Sequence, residues 1–223
     1  MIPTILIGDL HADLDAYRSA LNRHGGLPSI QVGDFGIGHL SPKEEAEARR
    51  LHTRAPHRFI RGNHDRPSGL PSTPGWIPDG TIWGDVLFLG GADPGEATQI
   101  APDEMERLLA RLRSLTELPR VVISHDAPQP IAAEVAAHVH RLASGSGSFP
   151  MPPARRPSRT RSFLSAVHEI LVPELWIFGH WHEPWEGRRG GTFFRCIGFH
   201  ESFVLPLAWF SPGLGTSLGS ITS

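Results

Sequence analysis

Five short strand-like runs in this chain end the same way, and that repetition constrains the fold more than any other feature. Residues 4–7, 29–32, 57–60, 120–123 and 175–178 each run out within two residues of a glycine or serine. An acid, an amide or an imidazole then follows: Gly8-Asp9, Gly33-Asp34, Gly62-Asn63, Ser124-His125 and Gly179-His180. Runs of this length bounded by turn residues read as buried strands. Between them lie helical spacings. Leu14, Tyr17 and Leu21 share a face, with Asp13 as the cap. Ser41-Pro42-Lys43-Glu44 opens a helix to about Arg54, with Ser as N-cap, Pro at the first helical position and Glu at the third. Met105, Leu108, Leu109 and Leu112 line a third helix, and 131–142 and 161–171 are two further helical stretches. Strands alternating with helices give an α/β fold, largely parallel in its first half. Residues 81–89 are a strand or hairpin, 66–78 a loop, and 192–197 and 202–207 closing antiparallel strands. In such sheets ligands bind at the carboxyl ends of strands, where this chain places its polar residues.

At 223 residues the chain suits one domain. It is expected over 1–210, with a lid-like loop at about 126–160 and a loose tail at 211–223. A net charge of −2 gives no field for bulk nucleic-acid binding. No apolar run reaches the roughly 20 residues of a spanning helix. The apolar start reaches Asp9 without a basic segment, so it reads as a strand and not a signal peptide. No membrane partner and a cytoplasmic location are expected.

Cys196 is the only cysteine, which excludes an internal disulfide and a thiolate zinc cluster. The strand-end residues Asp9, His11, Asp34, Asn63, His125, His180 and His182 are instead hard oxygen and imidazole ligands. Asp9 and His11 are two apart, as are His180 and His182, and in extended chain such pairs face one side. Seven ligands exceed one tetrahedral ion and fit two ions sharing a carboxylate, a recurrent device for phosphoryl transfer.

Gly8-Asp9-Leu10-His11, Gly33-Asp34, Gly62-Asn63-His64-Asp65, His125 and Gly179-His180-Trp181-His182 occur in order across most of the chain. In this the sequence resembles the calcineurin-like metallophosphoesterase superfamily. The resemblance implies a four-layer α-β-β-α sandwich of two mixed β-sheets flanked by helices. It implies a first metal on Asp9, His11 and His182, a second on Asn63, His125 and His180, and Asp34 as the bridge. His64 takes the place of the acid that protonates the leaving oxygen. The implied activity is hydrolysis of phosphomonoesters or phosphodiesters by a hydroxide bridging two divalent ions, Mn2+ foremost, with Fe, Zn, Ni or Mg as alternatives. The expected partner is a small phosphorylated substrate, a nucleotide or oligonucleotide. Asp65 follows His64 and is placed to influence it, although neighbours in a strand point apart.

The serine/threonine phosphatase branch extends the second motif with a further Asp and a phosphate-binding Arg. Here the run is Gly33-Asp34-Phe35-Gly36-Ile37-Gly38-His39, without either. The chain is more similar to small bacterial or phage phosphoesterases. Phosphate contact falls to Arg66, or to Arg155, Arg156, Arg159 and Arg161 in the expected lid, whose other reading is a solvated loop. His39 sits just past Asp34 and is either within reach of the site or a surface residue. Trp181 and Trp185 read as core packing or as contacts to a substrate ring. His24, His52, His57, His138, His140 and His168 read as surface or helix residues without a special task. A protein phosphatase and a non-catalytic scaffold of the same fold are the alternatives; the presence of His64 weighs against the scaffold.

Overall fold

The computed structural model describes residues 3–54, 56–93, 100–143 and 158–205. Two mixed sheets carry the chain. In the first, β1 (Thr4–Ile7), β2 (Ser29–Gln31) and β3 (His57–Phe59) are parallel, and β10 (Ser202–Leu205) pairs antiparallel with β1, in the order β10-β1-β2-β3. The second has the order β4-β5-β6-β7-β9-β8. Its parallel centre is β5 (Val86–Leu89), β6 (Val121–Ser124), β7 (Leu175–Phe178) and β9 (Thr192–Cys196). The antiparallel edges are β4 (Ile82–Trp83) and β8 (Trp185–Arg189).

Side-chain alternation turns these sheets into layers. Leu6 from β1 and Ile30 from β2 meet Val86, Phe88, Val121, Ile123 and Ile177 of the other sheet in one cluster, so the sheets face each other. The intervening residues point outward. Ile5 and Ile7 pack against Leu14, Tyr17 and Leu21 of α1 (Leu14–Arg23) and Ala48 of α2 (Pro42–Arg54). Leu87, Leu89, Val122, Trp176 and Phe178 pack against α3 (Pro102–Arg113), α4 (Gln129–Ala143) and α5 (Arg159–Leu171). The result is the expected helix–sheet–sheet–helix sandwich. Each fully buried Leu, Ile or Phe in it contributes roughly 1.5–3 kcal/mol.

The expected caps form. Asp13 accepts from Ala16 N at 2.8 Å. Ser41 N donates to Glu44 Oε2 at 2.8 Å, while Glu44 N reaches Ser41 Oγ at 3.4 Å, the reciprocal box that starts α2.

Several expectations are corrected. The strands at 192–196 and 202–205 do not pair with each other; β9 runs parallel to β7, and β10 closes the other sheet on β1. Strand β8, Trp-Glu-Gly-Arg-Arg, is an edge strand with one hydrophobic residue, so no alternation marked it. Within 126–160, Gln129–Ala143 is helix and Arg159 opens another; residues 144–157 of the expected lid lie outside the described residues, as does the tail. Part of the 66–78 loop is a 3-10 turn, Pro67–Ser72.

His52 and His57 are core residues and not surface ones. His52 Nε2 lies 3.2 Å from the Tyr17 hydroxyl, and its ring stacks on Phe59. Burial pushes its imidazole down to about 4. The unfolded ring titrates near 6.5, so the unfolded chain takes up the proton first as pH falls. Stability held by the neutral ring is therefore complete above about pH 6.5 and is lost progressively toward pH 4, by up to about 3 kcal/mol. Urea denaturation across that range should show His52→Phe with a flatter acid branch than the native chain; an unchanged branch contradicts this.

Candidate metal centre

The polar strand ends meet where the two sheets open together. Asp9 and His11 follow β1, Asp34 follows β2, Asn63 and His64 follow β3, His125 follows β6, and His180 and His182 follow β7. The first three strands lie in one sheet and the last two in the other, so the cluster forms only when the sandwich closes.

Sharp turns aim these groups. His11, Asp34, His180 and His182 have φ of 46°, 57°, 70° and 61°. Left-handed backbone is uncommon outside glycine and stores strain at functional sites. The i, i+2 pairs thus converge through turns and not through the alternation of an extended strand. The glycines that precede ligands permit contact between strands. A Cβ on Gly62 would collide with the Asp34 carboxylate, and one on Gly179 with Asp9 Oδ1. Backbone bonds lock the turns: His11 N donates to Asp34 O at 2.8 Å, and Gly179 N to His125 O at 3.0 Å.

Three groups of side chains have the spacing to hold a metal ion: Asp9, His11 and His182; Asp34, His125 and His180; and His11, Asp34 and His64. In the first, His11 Nε2 and His182 Nε2 are 2.9 Å apart. His182 Nε2 lies 3.2 Å from Asp9 Oδ2, close enough for that carboxylate to hold the imidazole pKa up but out of line for a hydrogen bond. In the second, His125 Nε2 lies 3.4 Å from Asp34 Oδ2 and 3.1 Å from Asn63 Oδ1. Ligands bonded at roughly 2.0–2.3 Å to one ion are about 3 Å apart, so both groups have a suitable size.

The donor chemistry agrees. Among the described residues, Asp9 Oδ2 and His180 Nε2 are buried with no hydrogen-bond partner. Such orphans are costly unless something binds them. Burial pushes His180 down to about 4, against the pull of Asp126, which leaves its ring neutral with a lone pair. His125 places Nδ1 2.9 Å from Val32 O; a proton donated there turns Nε2 toward the cluster. Although burial opposes it, Asp34 and Asp9 raise His125 to about 10. Burial likewise opposes ionisation of Asp34, but His125 holds it well below the usual carboxylate range. The buried carboxylates demand positive charge at this point. The residues fit a pair of divalent cations.

His64 is exposed, its ring 4.9 Å from that of His11, and its backbone N donates to Asp34 Oδ1 at 2.7 Å. Asp65 does not act on His64. It is buried and accepts from Gly62 N at 2.8 Å, Gly36 N at 2.7 Å, Ile37 N at 2.8 Å and Phe35 N at 3.2 Å, tying the loop after Asp34 to the one bearing Asn63. His39 is exposed and joins none of the three groups. Arg66 is exposed and packs across Gly38, lining a cleft with Glu45 and Arg49. Arg155 and Arg156 lie outside the described residues.

Arg161 is no lid residue. It is 2% exposed, with Nε 2.7 Å from Asp126 Oδ2 and its guanidinium over the Trp181 ring. Trp181 Nε1 donates to Asp126 Oδ1 at 3.2 Å, so Trp181 is core packing beside His180. Asp126 was missed in the sequence; its place directly after His125 was the available signal.

A family model for calcineurin-like phosphoesterases matches residues 2–184. No curated protein sequence matches. Among solved structures, TT1561 of Thermus thermophilus is similar at 14% identity and a TM-score of 0.58, over 89% of this chain and 90% of that one. That likeness shows the fold. A predicted phosphoesterase from Streptococcus pneumoniae is similar at 14% identity and a TM-score of 0.38, over 89% of this chain and 72% of that one.

Proposed function

The chain belongs to the calcineurin-like phosphoesterase family, and on that premise we propose that it hydrolyses small phosphate esters, nucleotide-type esters foremost, with two divalent cations. Asp9, His11 and His182 would hold one and Asn63, His125 and His180 the other, with Asp34 between the two groups. The observation that carries this reading is the convergence of buried, partnerless Asp9 Oδ2 and His180 Nε2 in two adjacent groups of ligand spacing. Mn2+ suits the mixed oxygen and imidazole donors, as do Fe, Zn, Ni and Mg. When bound, such a pair supplies a nucleophile at neutral pH and neutralises charge on the phosphoryl oxygens.

The chain's own residues do the rest. Neutral His180 presents a lone pair, and His125, oriented by Val32 O, presents one on losing its second proton. Asp65 fixes the loops on either side of Asp34, which keeps the ligands in register. His64 stands at the exposed rim beside His11, where it donates a proton to the departing ester oxygen. The absence of the Asp and Arg that mark protein phosphatases in the second motif favours small esters over phosphoproteins.

The test is turnover of para-nitrophenyl phosphate and its bis ester by stripped protein with Mn2+ added back. His64→Ala should lower kcat by roughly 10²–10⁴-fold while bound metal stays as in the native chain. Full turnover in that variant removes His64 from the mechanism. Native protein that binds metal but hydrolyses neither ester favours a scaffold.

A further inference from the structure

An aromatic ring stands open at the edge of the metal centre. Phe199 is 44% exposed, yet its ring centroid lies 5.8 Å from that of His11 and 5.3 Å from that of His182. One face is covered by His200, stacked at 3.8 Å and 23°. With one face covered, the ring's remaining exposure belongs to its other face and edge.

Isolated apolar side chains on a surface are ordinary, but this one is held in place. Phe199 N donates to His182 O at 3.0 Å, His200 N to Asp9 O at 3.2 Å, and Gly8 N to Glu201 O at 2.9 Å. The turn is therefore bonded to both chain segments that carry the first ligand group. Glu201 closes it from within, accepting from Gly198 N at 2.7 Å and from Arg195 at 3.2 Å. A Cβ on Gly8 would collide with the Gly198 carbonyl, so the turn is pressed against the end of β1. His200 is left-handed, φ 57°, a strain held by these bonds, and it lies 3.6 Å from Asp13.

A rigid turn that keeps an apolar ring in water beside imidazoles gains nothing for the core. It offers a flat apolar surface next to the reacting group. We propose that Phe199 is a specificity-determining platform on which a flat aromatic ring of the substrate, a nucleobase or an aryl group, stacks while its phosphate occupies the centre. The inference rests on the esterase reading and narrows it to aromatic esters. Base stacking on an aromatic side chain is worth roughly 5- to 150-fold in affinity.

The test is calorimetric binding of the non-hydrolysable phosphonate analogues of adenosine 5′-monophosphate and of ribose 5-phosphate, which lacks the ring, to the Mn2+-loaded chain. The native chain should bind the nucleotide at least about fivefold tighter. Phe199→Ala should collapse that ratio toward one, and Phe199→Trp should restore it. A purely structural role for Phe199 would weaken both ligands in proportion and leave the ratio intact. Native protein that binds the two alike, or binds neither, overturns the platform, as does an unchanged ratio in Phe199→Ala. Because the readout is binding, it separates from the esterase reading: a nucleotide preference in a chain that hydrolyses no ester would sink that reading and leave the platform standing.

Discussion

Asp34→Asn is expected to lower metal-restored turnover by about 10³-fold or more and to take bound metal from two ions toward one. The reason lies in where Asp34 points. Its Oδ2 is 3.7 Å from His11 Nε2 and 3.4 Å from His125 Nε2, so one oxygen faces both ligand groups, while Oδ1 is taken by the backbone N–H of His64. An amide retains an acceptor but surrenders the charge. Asparagine is among the residues that best tolerate the left-handed backbone at this position, φ 57°, so the fold should survive. A second readout needs no turnover. Asp34 is the main group raising His125, which sits at about 10 in the metal-free chain. Asparagine removes that charge, so the His125 titration observed by NMR should fall markedly. Two bound ions and native turnover in the variant would take the bridging role from Asp34.

The second large effect concerns stability. Arg161→Met should destabilise the fold by about 3–5 kcal/mol in urea denaturation. Arg161 and Asp126 form an ion pair whose side chains are 2% and 0% exposed. Removing the guanidinium leaves a carboxylate in the core with Ala127 N and the Trp181 indole as its donors among the described residues. Burial opposes ionisation of Asp126, but His180 and the Arg161 guanidinium together hold it below its ordinary range. In the variant, burial is opposed by His180 and Ala127 N without the guanidinium, so Asp126 should rise, and the loss should be greatest at neutral pH and shrink as acid protonates the group. Asp126→Asn placed on Arg161→Met should recover part of the loss, because a neutral amide is cheaper to bury. A cost under about 1 kcal/mol would mean that the pair is not what holds α5 to the site. Asp126 Oδ2 is also 3.9 Å from His180 Nε2, so metal affinity should fall along with stability.

The contrast between these two residues shows what the sequence makes legible. Asp34 was readable because its signal is local: an apolar run, a glycine, then an acid. The same holds for Asp9, Asn63, His125 and His180, and for the caps at Asp13 and Ser41. The layered architecture is implied by the family resemblance and not by the strand periods; in the fold, Leu6 points to one layer while Ile5 and Ile7 point to another. Arg161 was misread because its partner lies 35 residues away; a guanidinium in an Arg-rich stretch looks solvated until Asp126 is seen beneath it. Sequence proximity points Asp65 at His64, whereas its carboxylate binds N–H groups of residues 35–37, far along the chain. Strand β8 lacked alternation, and the pairing of β9 and β10 depended on sheet closure, which no local pattern encodes. Phe199 carried no motif at all. Its significance comes from exposure beside His11 and His182, a property of the folded surface.

The convergence of the strand ends leads to one direct measurement: anomalous scattering at the manganese edge from crystals of the chain grown with Mn2+. Two peaks are expected, about 3.5–4 Å apart, on either side of Asp34 Oδ2, one within reach of Asp9, His11 and His182 and the other of Asn63, His125 and His180. No peak among these residues, or a single peak that leaves His125 and His180 without metal, would contradict this.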